Sequence, residues 1–584
     1  MNQTDPVTIE IIRNAFLAAA EDMRAVLVRS AFSPVIYEAK DCSVGLFNEK
    51  AELLGQAPGL PFFLGALSEM VQVVIETIGL PNFEEGDVFI LNDPYLTGSH
   101  LNDVDILSPV VYQGELVGFA VTRAHWRDLG GKDAAYMVDS TEIYQEGLRL
   151  GPIRLAAGGQ LQSDIIDILR RNSRIPVALV GDTHAQIAAC RMGERRYREI
   201  IERFGLDTVR TSMAQVFDAT ETLERDAIRA IPDGMYRAEG FQDNDFQTDE
   251  PIPIKVQVTV DGDRMTVDTT GSSRQRPGCT NCGRAQTIAA ARLAFKFLIR
   301  PDSEVTGGSF RTLEVIVEPG SIFAAEEPAA CLQYGTHTML LVDLVIKALA
   351  SAIPEQVTAG IPGDAWNVIM VQWEANGKLR LAWGEATAGG WGANTFFDGE
   401  SAVIHSGAGD FRNQPVEIME NKLPVRILHY GLGTDSGGPG RNRGGLNVVR
   451  EYQVVGERMN LNLWFERTVT PQWGLFGGKH GAVPTVVMNP GTDRERTLLK
   501  VNSMPVDNGT HFRVHTGGGG GYGLPWEREP WRVREDVMDG YVSRAKAAED
   551  YGVAFKDGSF EIDEAQTPLL RAQMARDQSR CDTE

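Results

Sequence analysis

The residues best suited to chemistry lie in one stretch of this chain, from Leu91 to Gly131. Two of the nine histidines, His100 and His125, fall within it. Four aspartates accompany them: Asp93, Asp103, Asp105 and Asp128. Imidazole and carboxylate groups at short spacing are typical ligands of catalytic zinc, manganese or iron. Aspartates are also frequent in turns, so the spacing is compatible with either a metal site or an ordinary loop.

A predicted β-hairpin would bring these residues together. Gln113 and Gly114 separate two apolar runs that read as strands, Ile106–Tyr112 and Leu116–Thr122. A hairpin returns the chain to the place where it began. We therefore expect His100, Asp103 and His125 to converge where the two strands end.

Composition excludes several classes of protein. Acidic residues outnumber basic ones by 79 to 56, which gives a net charge of −23. Such a chain lacks the clustered lysine and arginine that nucleic-acid binding needs, and it disfavours anionic membrane surfaces. No run approaches 18 uninterrupted apolar residues, and the N-terminal MNQTDPVTIEII lacks the features of a signal peptide. We expect no nucleic-acid partner, no membrane and a cytoplasmic location.

The cysteines are consistent with that location. Their scattered positions are typical of reduced thiols rather than of a disulfide framework: Cys42, Cys190, Cys279, Cys282, Cys331 and Cys581. Cys279 and Cys282 form a CxxC pair. Because no second pair accompanies it, the pair gives little support for a structural zinc site.

The predicted fold class is mixed α/β, of the α+β kind, with several subdomains, because 584 residues exceed one simple core. Apolar residues at helical spacing predict a first helix with Asp5 as its cap and Pro6 at its first position. Many of the 61 glycines follow Gly335, which favours strands and tight turns there. The predicted divisions are a metal-site α/β domain (1–232), an α+β domain (233–330), a glycine-rich, β-heavy domain (331–526) and a helical tail (527–584).

Three fragments imitate known motifs. DSGGPG around Ser436 is similar to the nucleophile segment of trypsin-like proteases, but no matching histidine and aspartate regions are recognisable. The run Gly517–Gly521 could bind phosphate through its backbone N–H groups, and FGGKH from Phe476 is a near-miss of a P-loop. Structural turns are the better interpretation of both, so we expect no ATP site in this chain.

Six segments carry a family resemblance, in this order: LNDPYLTGSHLNDVD, TRAHWRDLGG, TEIYQEGLRL, GDTHAQIAACRMGERR, DSGGPGRNRGGL and TGGGGGYGLP. Together they resemble the hydantoinase B/oxoprolinase family, from about Asp5 to about Tyr541. That family includes subunits of ATP-dependent N-methylhydantoinase and caprolactamase, the equivalent half of 5-oxoprolinase, and the metal-bearing subunit of acetone and acetophenone carboxylases.

The resemblance implies a metal site and a partner. It implies a divalent metal, zinc first, with manganese or iron as alternatives, held by Asp41, His100, Asp103 and His125. It also implies a hydantoinase A-like ATPase partner that binds ATP, in a heterotetramer with two copies of each chain.

Three positions depart from the family pattern. Trp126 replaces a second histidine, Asn102 replaces a proline, and His184 replaces an arginine. The first change removes a group that could bind or support a metal, and the second is interpreted as a turn adjustment. The third leaves the role of the GDTHAQ segment undefined.

The implied activity is ATP-dependent hydrolysis of a cyclic amide of the hydantoin, lactam or 5-oxoproline type. The partner would phosphorylate the carbonyl oxygen, and the metal here would present hydroxide to the activated carbon. Candidates for the general base or for an orienting acid are Asp105, Asp128 and Glu142, with Glu146 in the same segment as Glu142. Two alternatives stay open: the metal subunit of an ATP-dependent ketone carboxylase, and a scaffold that only stabilises the ATPase.

Overall fold

A computed structural model describes residues 5–581 of the chain, with side chains from 5 to 578. Residues 1–4 and 582–584, which belong to the predicted first domain and tail, lie outside the described part. Helices alternate with four separate sheets along the chain. The predicted mixed α/β class is therefore confirmed.

The first sheet contains the first seven strands of the chain: β1 (Cys42–Asn48), β2 (Leu53–Gln56), β3 (Val88–Leu91), β4 (Asp103–Tyr112), β5 (Glu115–His125), β6 (Ile153–Ala157) and β7 (Gln160–Leu161). Its order is β2-β1-β5-β4-β3-β6-β7, with antiparallel neighbours throughout. β4 and β5 form the predicted hairpin. Gln113 and Gly114 have φ of 50° and 82°, as a two-residue hairpin turn requires.

Seven helices accompany this sheet: α1 (Pro6–Ser30), α2 (Pro34–Tyr37), α3 (Pro61–Ile78), α4 (Pro94–Thr97), α5 (Ser163–Arg171), α6 (Pro176–Phe204) and α7 (Leu206–Arg229). α1 begins as predicted, because the Asp5 carboxylate accepts hydrogen bonds from the backbone N–H groups of Val7 and Thr8 and Pro6 follows it. α1 and α6 pack on one face of the sheet, and α3 packs on the other.

By length and composition, α3 alone among the described helices would suffice to cross a membrane. In the fold, its side chains Leu67, Met70 and Val71 pack on Phe89 and Leu107 of the sheet. These contacts are those of a core helix.

The second sheet contains β8 (Gly234–Gln242), β9 (Ile252–Asp261), β10 (Arg264–Asp268) and β11 (Leu313–Ile316), in the order β11-β10-β9-β8. Two helices, α8 (Arg284–Leu298) and α9 (Gly335–Ala348), share its hydrophobic core. α9 thus belongs to the same core as the second sheet. The predicted domain limits stay predictions.

The C-terminal part adds nine strands: β12 (Asn367–Trp373), β13 (Leu379–Glu385), β14 (Val425–Leu432), β15 (Val448–Val454), β16 (Met459–Trp464), β17 (Thr485–Met488), β18 (Arg496–Leu498), β19 (Lys500–Val506) and β20 (His511–His515). They form a third sheet, β13-β12-β16-β19, and a fourth, β14-β15-β20-β17-β18, around one core. This part also contains four helices, one between β13 and β14 and three after β20: α10 (Val416–Lys422), α11 (Pro530–Met538), α12 (Arg544–Tyr551) and α13 (Gln566–Cys581).

The run Gly517–Gly521 is an extended segment enclosed by other backbones rather than the predicted turn. The N–H groups from Gly518 onward donate to carbonyls of three surrounding segments, among them those of Gly360 and Gly445. A Cβ on Gly519 would lie 1.9 Å from the backbone oxygen of Trp391. Only glycine fits this position, and because these N–H groups are already bonded they are not free to bind a phosphate.

Candidate metal centre

His100, Asp103 and His125 form one cluster at the open end of the hairpin. Asp103 begins β4 and pairs in register with His125, which ends β5. Oδ1 of Asp103 lies 2.9 Å from Nε2 of His100 and 3.1 Å from Nδ1 of His125, and these nitrogens are 3.2 Å apart. Within the described part of the chain, no other group of three His, Cys, Asp or Glu residues has its ligand atoms this close together. The structure thus brings together three of the four residues in the implied ligand set.

The charges of the cluster shift the pKa values of Asp103 and His100. Burial alone would raise the pKa of Asp103, but the two imidazoles outweigh that effect and hold the pKa well below its ordinary value. Burial would likewise lower the pKa of His100, whereas the Asp103 carboxylate raises it overall. The two effects oppose each other because burial disfavours the charged form of a group, whereas a neighbouring opposite charge favours it.

Asp41, the fourth implied ligand, faces the same cavity from the segment before β1. Burial raises the pKa of Asp41 to about 6, against the opposing effect of His125. Oδ1 of Asp41 and Oδ2 of Asp103 are both buried without a hydrogen-bond partner, which is costly for a carboxylate. A divalent cation at the cluster would satisfy Oδ2 of Asp103, whereas Asp41 lies outside the group whose ligand atoms lie within 4.8 Å of one another. Two imidazoles and one carboxylate at the cluster, with the Asp41 carboxylate facing the same cavity, suit zinc, manganese or iron, so the residues fit the implied metal.

A backbone carbonyl on the side away from Asp103 orients the ring of His100. Its Nδ1 lies 3.0 Å from the carbonyl oxygen of Leu332. When Nδ1–H donates to that carbonyl, Nε2 carries the lone pair that faces Asp103, as a metal ligand requires. The Glu146 carboxylate accepts hydrogen bonds from the backbone N–H groups of Cys331 and Leu332, at 3.1 and 3.0 Å. Glu146 therefore fixes the backbone that orients His100, and burial raises the pKa of Glu146 to about 7.

Replacing Glu146 with alanine is expected to weaken metal binding by about 10- to 100-fold, because residues that orient a ligand have effects of this size. The measurement is a competition titration of the metal against a chelator. Glu142→Ala is the matched control, since Glu142 is exposed and lies only four residues away. Equal metal affinities in the two variants would contradict the orienting role.

Three acids proposed from the sequence do not reach the cluster. Asp105 forms two hydrogen bonds of 2.8 Å with Arg123. Asp128 accepts hydrogen bonds from the backbone and side chain of Arg174, and Glu142 is exposed ahead of a short 3₁₀ helix. None of the three acids lines the cavity. The geometry therefore does not support them as general bases: two are engaged by arginines, and the third faces solvent.

The departures from the family pattern have local explanations. Trp126 points away from the cluster, and its Nε1 donates to Gln186 at 2.8 Å. The Asn102 side chain donates to the carbonyl of Trp126 at 2.6 Å, so it joins the two loops that carry the ligands. His184 lies on α6, exposed, and its Nδ1 contacts the carbonyl of Val180 in the same helix.

The cluster opens into a cavity of ≈ 170 Å³. Residues from distant parts of the chain complete its wall, including Arg127, Gln333, Tyr334, Asp364, Glu385 and His405. Tyr334 packs edge-on against His100, with ring centroids 4.9 Å apart. Burial lowers the pKa of Arg127 to about 10, which leaves it cationic at neutral pH. Spacing in the sequence gave no signal for these residues, except that Arg127 lies two positions after His125.

Asp364 makes stability depend on pH. Burial raises its pKa to about 8, and the neighbouring Glu466 adds to this rise, against backbone N–H groups and Lys500. In the unfolded chain the pKa is about 4. Because the folded pKa is the higher one, the folded state binds this proton more tightly. The stabilisation is complete below about pH 4 and is lost as the pH rises through 8.

Replacing Asp364 with asparagine removes this titration. We expect the free energy of unfolding to fall less between pH 6 and pH 8.5 in Asp364→Asn than in the wild type, as measured by urea denaturation at each pH. Asp493→Asn, at an exposed position, is the control. Parallel pH profiles for wild type and Asp364→Asn would contradict the assignment.

Other motifs noted in the sequence are structural. Cys279 donates to the carbonyl of Val138 at 3.4 Å, and Cys282 lies 3.4 Å from the Thr287 hydroxyl. All five cysteines whose side chains are described are free and buried, and Cys581 lies outside that set. Ser436 is buried, and its Oγ donates to the carbonyl of Gly433 at 2.6 Å, as a turn residue does.

The chain is similar to known proteins over nearly its whole length. A family model described as hydantoinase B/oxoprolinase matches residues 5–525. A protein named as the B component of a D-/L-hydantoinase, from Pseudomonas sp. strain NS671, is 32% identical over 591 residues, covering 98% of each chain. The beta chain of caprolactamase from Pseudomonas jessenii is also 32% identical over 591 residues, covering 98% of this chain and 100% of that one.

Two solved structures have the same fold. The crystal structure of the ATP-dependent caprolactamase from Pseudomonas jessenii matches with a TM-score of 0.90 over 98% of this chain and 100% of that chain. A nucleotide-free acetone carboxylase matches with a TM-score of 0.91 at 20% identity, over 99% of this chain and 84% of that chain.

Proposed function

The chain belongs to the hydantoinase B/oxoprolinase family, and from that premise we propose that it is the metal-bearing subunit of an ATP-dependent hydrolase of cyclic amides. The observation that carries the proposal is the buried cluster of His100, Asp103 and His125 at the cavity. Relatives named for hydantoin and caprolactam hydrolysis, at 32% identity over nearly full length, support the substrate class.

The chemistry explains why two subunits are needed. An unstrained amide is a poor electrophile, and its nitrogen is a poor leaving group. Phosphorylation of the carbonyl oxygen by a hydantoinase A-like ATPase subunit would remove the first obstacle. The names of the two relatives, each of which is one component of a larger enzyme, support such a partner. A heterotetramer with two copies of each chain is the arrangement we propose.

The residues of this chain then hold the reacting centre. Asp41, His100, Asp103 and His125 would bind the divalent cation, with zinc as the first candidate. When bound, such a cation supplies a Lewis acid and a water of lowered pKa. Phe62, Phe63 and Tyr334 line the same cavity and limit the entry of bulk water. Leu332 and Glu146 hold the His100 ring in its tautomer.

The test is a reconstitution of this chain with its hydantoinase A-like partner. Ring opening is followed for hydantoins, 5-oxoproline and larger lactams, with ATP, in the presence and absence of bicarbonate. ATP-dependent ring opening without bicarbonate is the expected result. Bicarbonate-dependent consumption of ATP on a ketone, with no lactam opened, would overturn the proposal in favour of a carboxylase.

A further inference from the structure

One cation in the cavity wall has no partner. Arg127 lies two residues after His125 and lines the cavity that contains the cluster. Among the residues whose side chains the structure describes, none forms a hydrogen bond or an ion pair with its guanidinium. A guanidinium keeps its charge at neutral pH. A half-buried charge without a partner is unfavourable unless a bound ligand supplies the opposite charge and hydrogen-bond acceptors.

The acids around this position are already engaged. Asp182, the acid whose charge acts on Arg127, accepts hydrogen bonds from the backbone N–H groups of Phe32 and Ser33, at 2.7 and 3.1 Å. Glu385, on the cavity wall, is held by Arg450 at 2.9 Å and Tyr452 at 2.8 Å.

The remaining acidic side chains of the cavity wall have roles other than pairing with Arg127. Both oxygens of Asp364 accept backbone N–H groups at 2.8 Å. Asp103 belongs to the metal cluster, and Asp41 is the fourth implied ligand. No acid of the cavity therefore neutralises Arg127.

The surroundings of Arg127 favour a planar anion. The guanidinium lies over the ring of Trp383, 5.9 Å from its centroid, and Trp383 is fully buried. A guanidinium stacked on an aromatic ring keeps its edge free for two parallel hydrogen bonds. Two further polar atoms of buried cavity residues lack partners, Nε2 of Gln333 and Nδ1 of His405. Away from the metal cluster, the cavity thus offers the Arg127 guanidinium and the Gln333 amide as unused donors, whereas Nδ1 of His405 donates or accepts according to its tautomer.

We propose that Arg127 binds an oxyanion of the molecule that enters this cavity. The oxyanion is either a carboxylate carried by the cyclic amide or the phosphoryl group on its activated oxygen. The proposal rests on the proposed function, since it names a charged substrate for the same cavity. A neutral lactam would leave the half-buried Arg127 without a partner.

The test is direct binding by the full, zinc-loaded chain, without ATP or partner. Isothermal titration calorimetry is run with three probes: L-5-oxoproline, 2-pyrrolidinone (the same ring without the carboxylate) and inorganic phosphate. The proteins are the wild type, Arg127→Gln, Arg127→Lys and the control Arg171→Gln. Arg171 is an exposed arginine on α5 outside the cavity.

Two outcomes support the proposal, and they distinguish the substrate carboxylate from the phosphoryl group as the oxyanion that Arg127 binds. A preference of the wild type for 5-oxoproline over 2-pyrrolidinone, abolished in Arg127→Gln, assigns the substrate carboxylate. Phosphate binding that weakens in Arg127→Gln, with both lactams bound alike, assigns the phosphoryl group. The expected loss is about tenfold or more, the size of charge-assisted hydrogen bonding. Arg127→Lys should fall between, because lysine keeps the charge without the paired donors.

Unchanged anion binding in Arg127→Gln, or no anion binding by the wild type, would overturn the proposal. Thermal unfolding excludes a trivial loss of structure: without anion, Arg127→Gln should unfold at or above the wild-type temperature, and anion should stabilise only the wild type. Because no turnover is measured, these results stand apart from the ring-opening test. A working hydrolase whose Arg127→Gln variant binds anions normally would refute this inference alone.

Discussion

The His125→Ala variant is expected to lose ring opening by roughly a thousandfold or more, while ATP hydrolysis by the partner is partly retained. Nδ1 of His125 lies 3.1 Å from Asp103 and 3.2 Å from Nε2 of His100, so alanine removes one of the two imidazole donors from the cluster. Removal of a donor lowers metal occupancy and leaves the remaining ligands misplaced. Activation by the partner does not use this site and should therefore continue.

The measurement follows product and ADP in the same reaction, together with the metal content of each purified variant. His184→Ala is the matched control, because His184 is exposed on α6 and lies outside the cavity. The control should keep its metal and both activities. Full ring opening by His125→Ala would refute the metal centre. Loss of ADP formation in parallel with product would instead show that the variant disturbs the partner.

The hairpin explains how much of the cluster could be predicted from sequence. Its strands and turn are local signals, and the structure confirms them. In the structure, however, Tyr112 opposes Glu115, whereas Asp103 opposes His125. Continued without interruption, the first pairing would set Asp103 opposite Ala124. An irregularity at Val110 and Val111 shifts the register by one residue, and such a shift moves side chains to the other face.

The rest of the site could not be predicted, because it depends on contacts between distant segments. Leu332, which orients His100, follows it by 232 residues. The sequence makes Glu146 a candidate acid, but its role depends on the backbone at Leu332, whose N–H group donates to it. Composition alone likewise suggested turns at Gly517–Gly521, whereas the enclosing backbones require glycine for close approach. Periodicity identifies elements, but it does not determine which of them meet.

The same shift in register produces the second large expected effect, at Arg123. Its position opposite Asp105 follows from that of His125 opposite Asp103. Arg123 and Asp105 are both fully buried and joined by two hydrogen bonds of 2.8 Å, and Arg123 also reaches the carbonyl of Thr97 at 3.3 Å. Arg123→Met would leave the Asp105 carboxylate buried alone. We expect a loss of about 3–5 kcal/mol in stability, the usual cost of breaking a buried pair.

Amide hydrogen exchange in β4 and β5 measures this loss locally, which suits a chain with several cores. The double variant Arg123→Met/Asp105→Asn should recover most of it, because no charge then stays buried alone. Burial already raises the pKa of Asp105, although Arg123 opposes the rise. Without Arg123 the folded pKa rises further, so the stability of Arg123→Met should decline as pH increases from 5 to 8. Equal amide exchange rates in the single and double variants at both pH values would contradict this prediction. The pair would then hold Thr97 and the ligand loop through packing and not through charge.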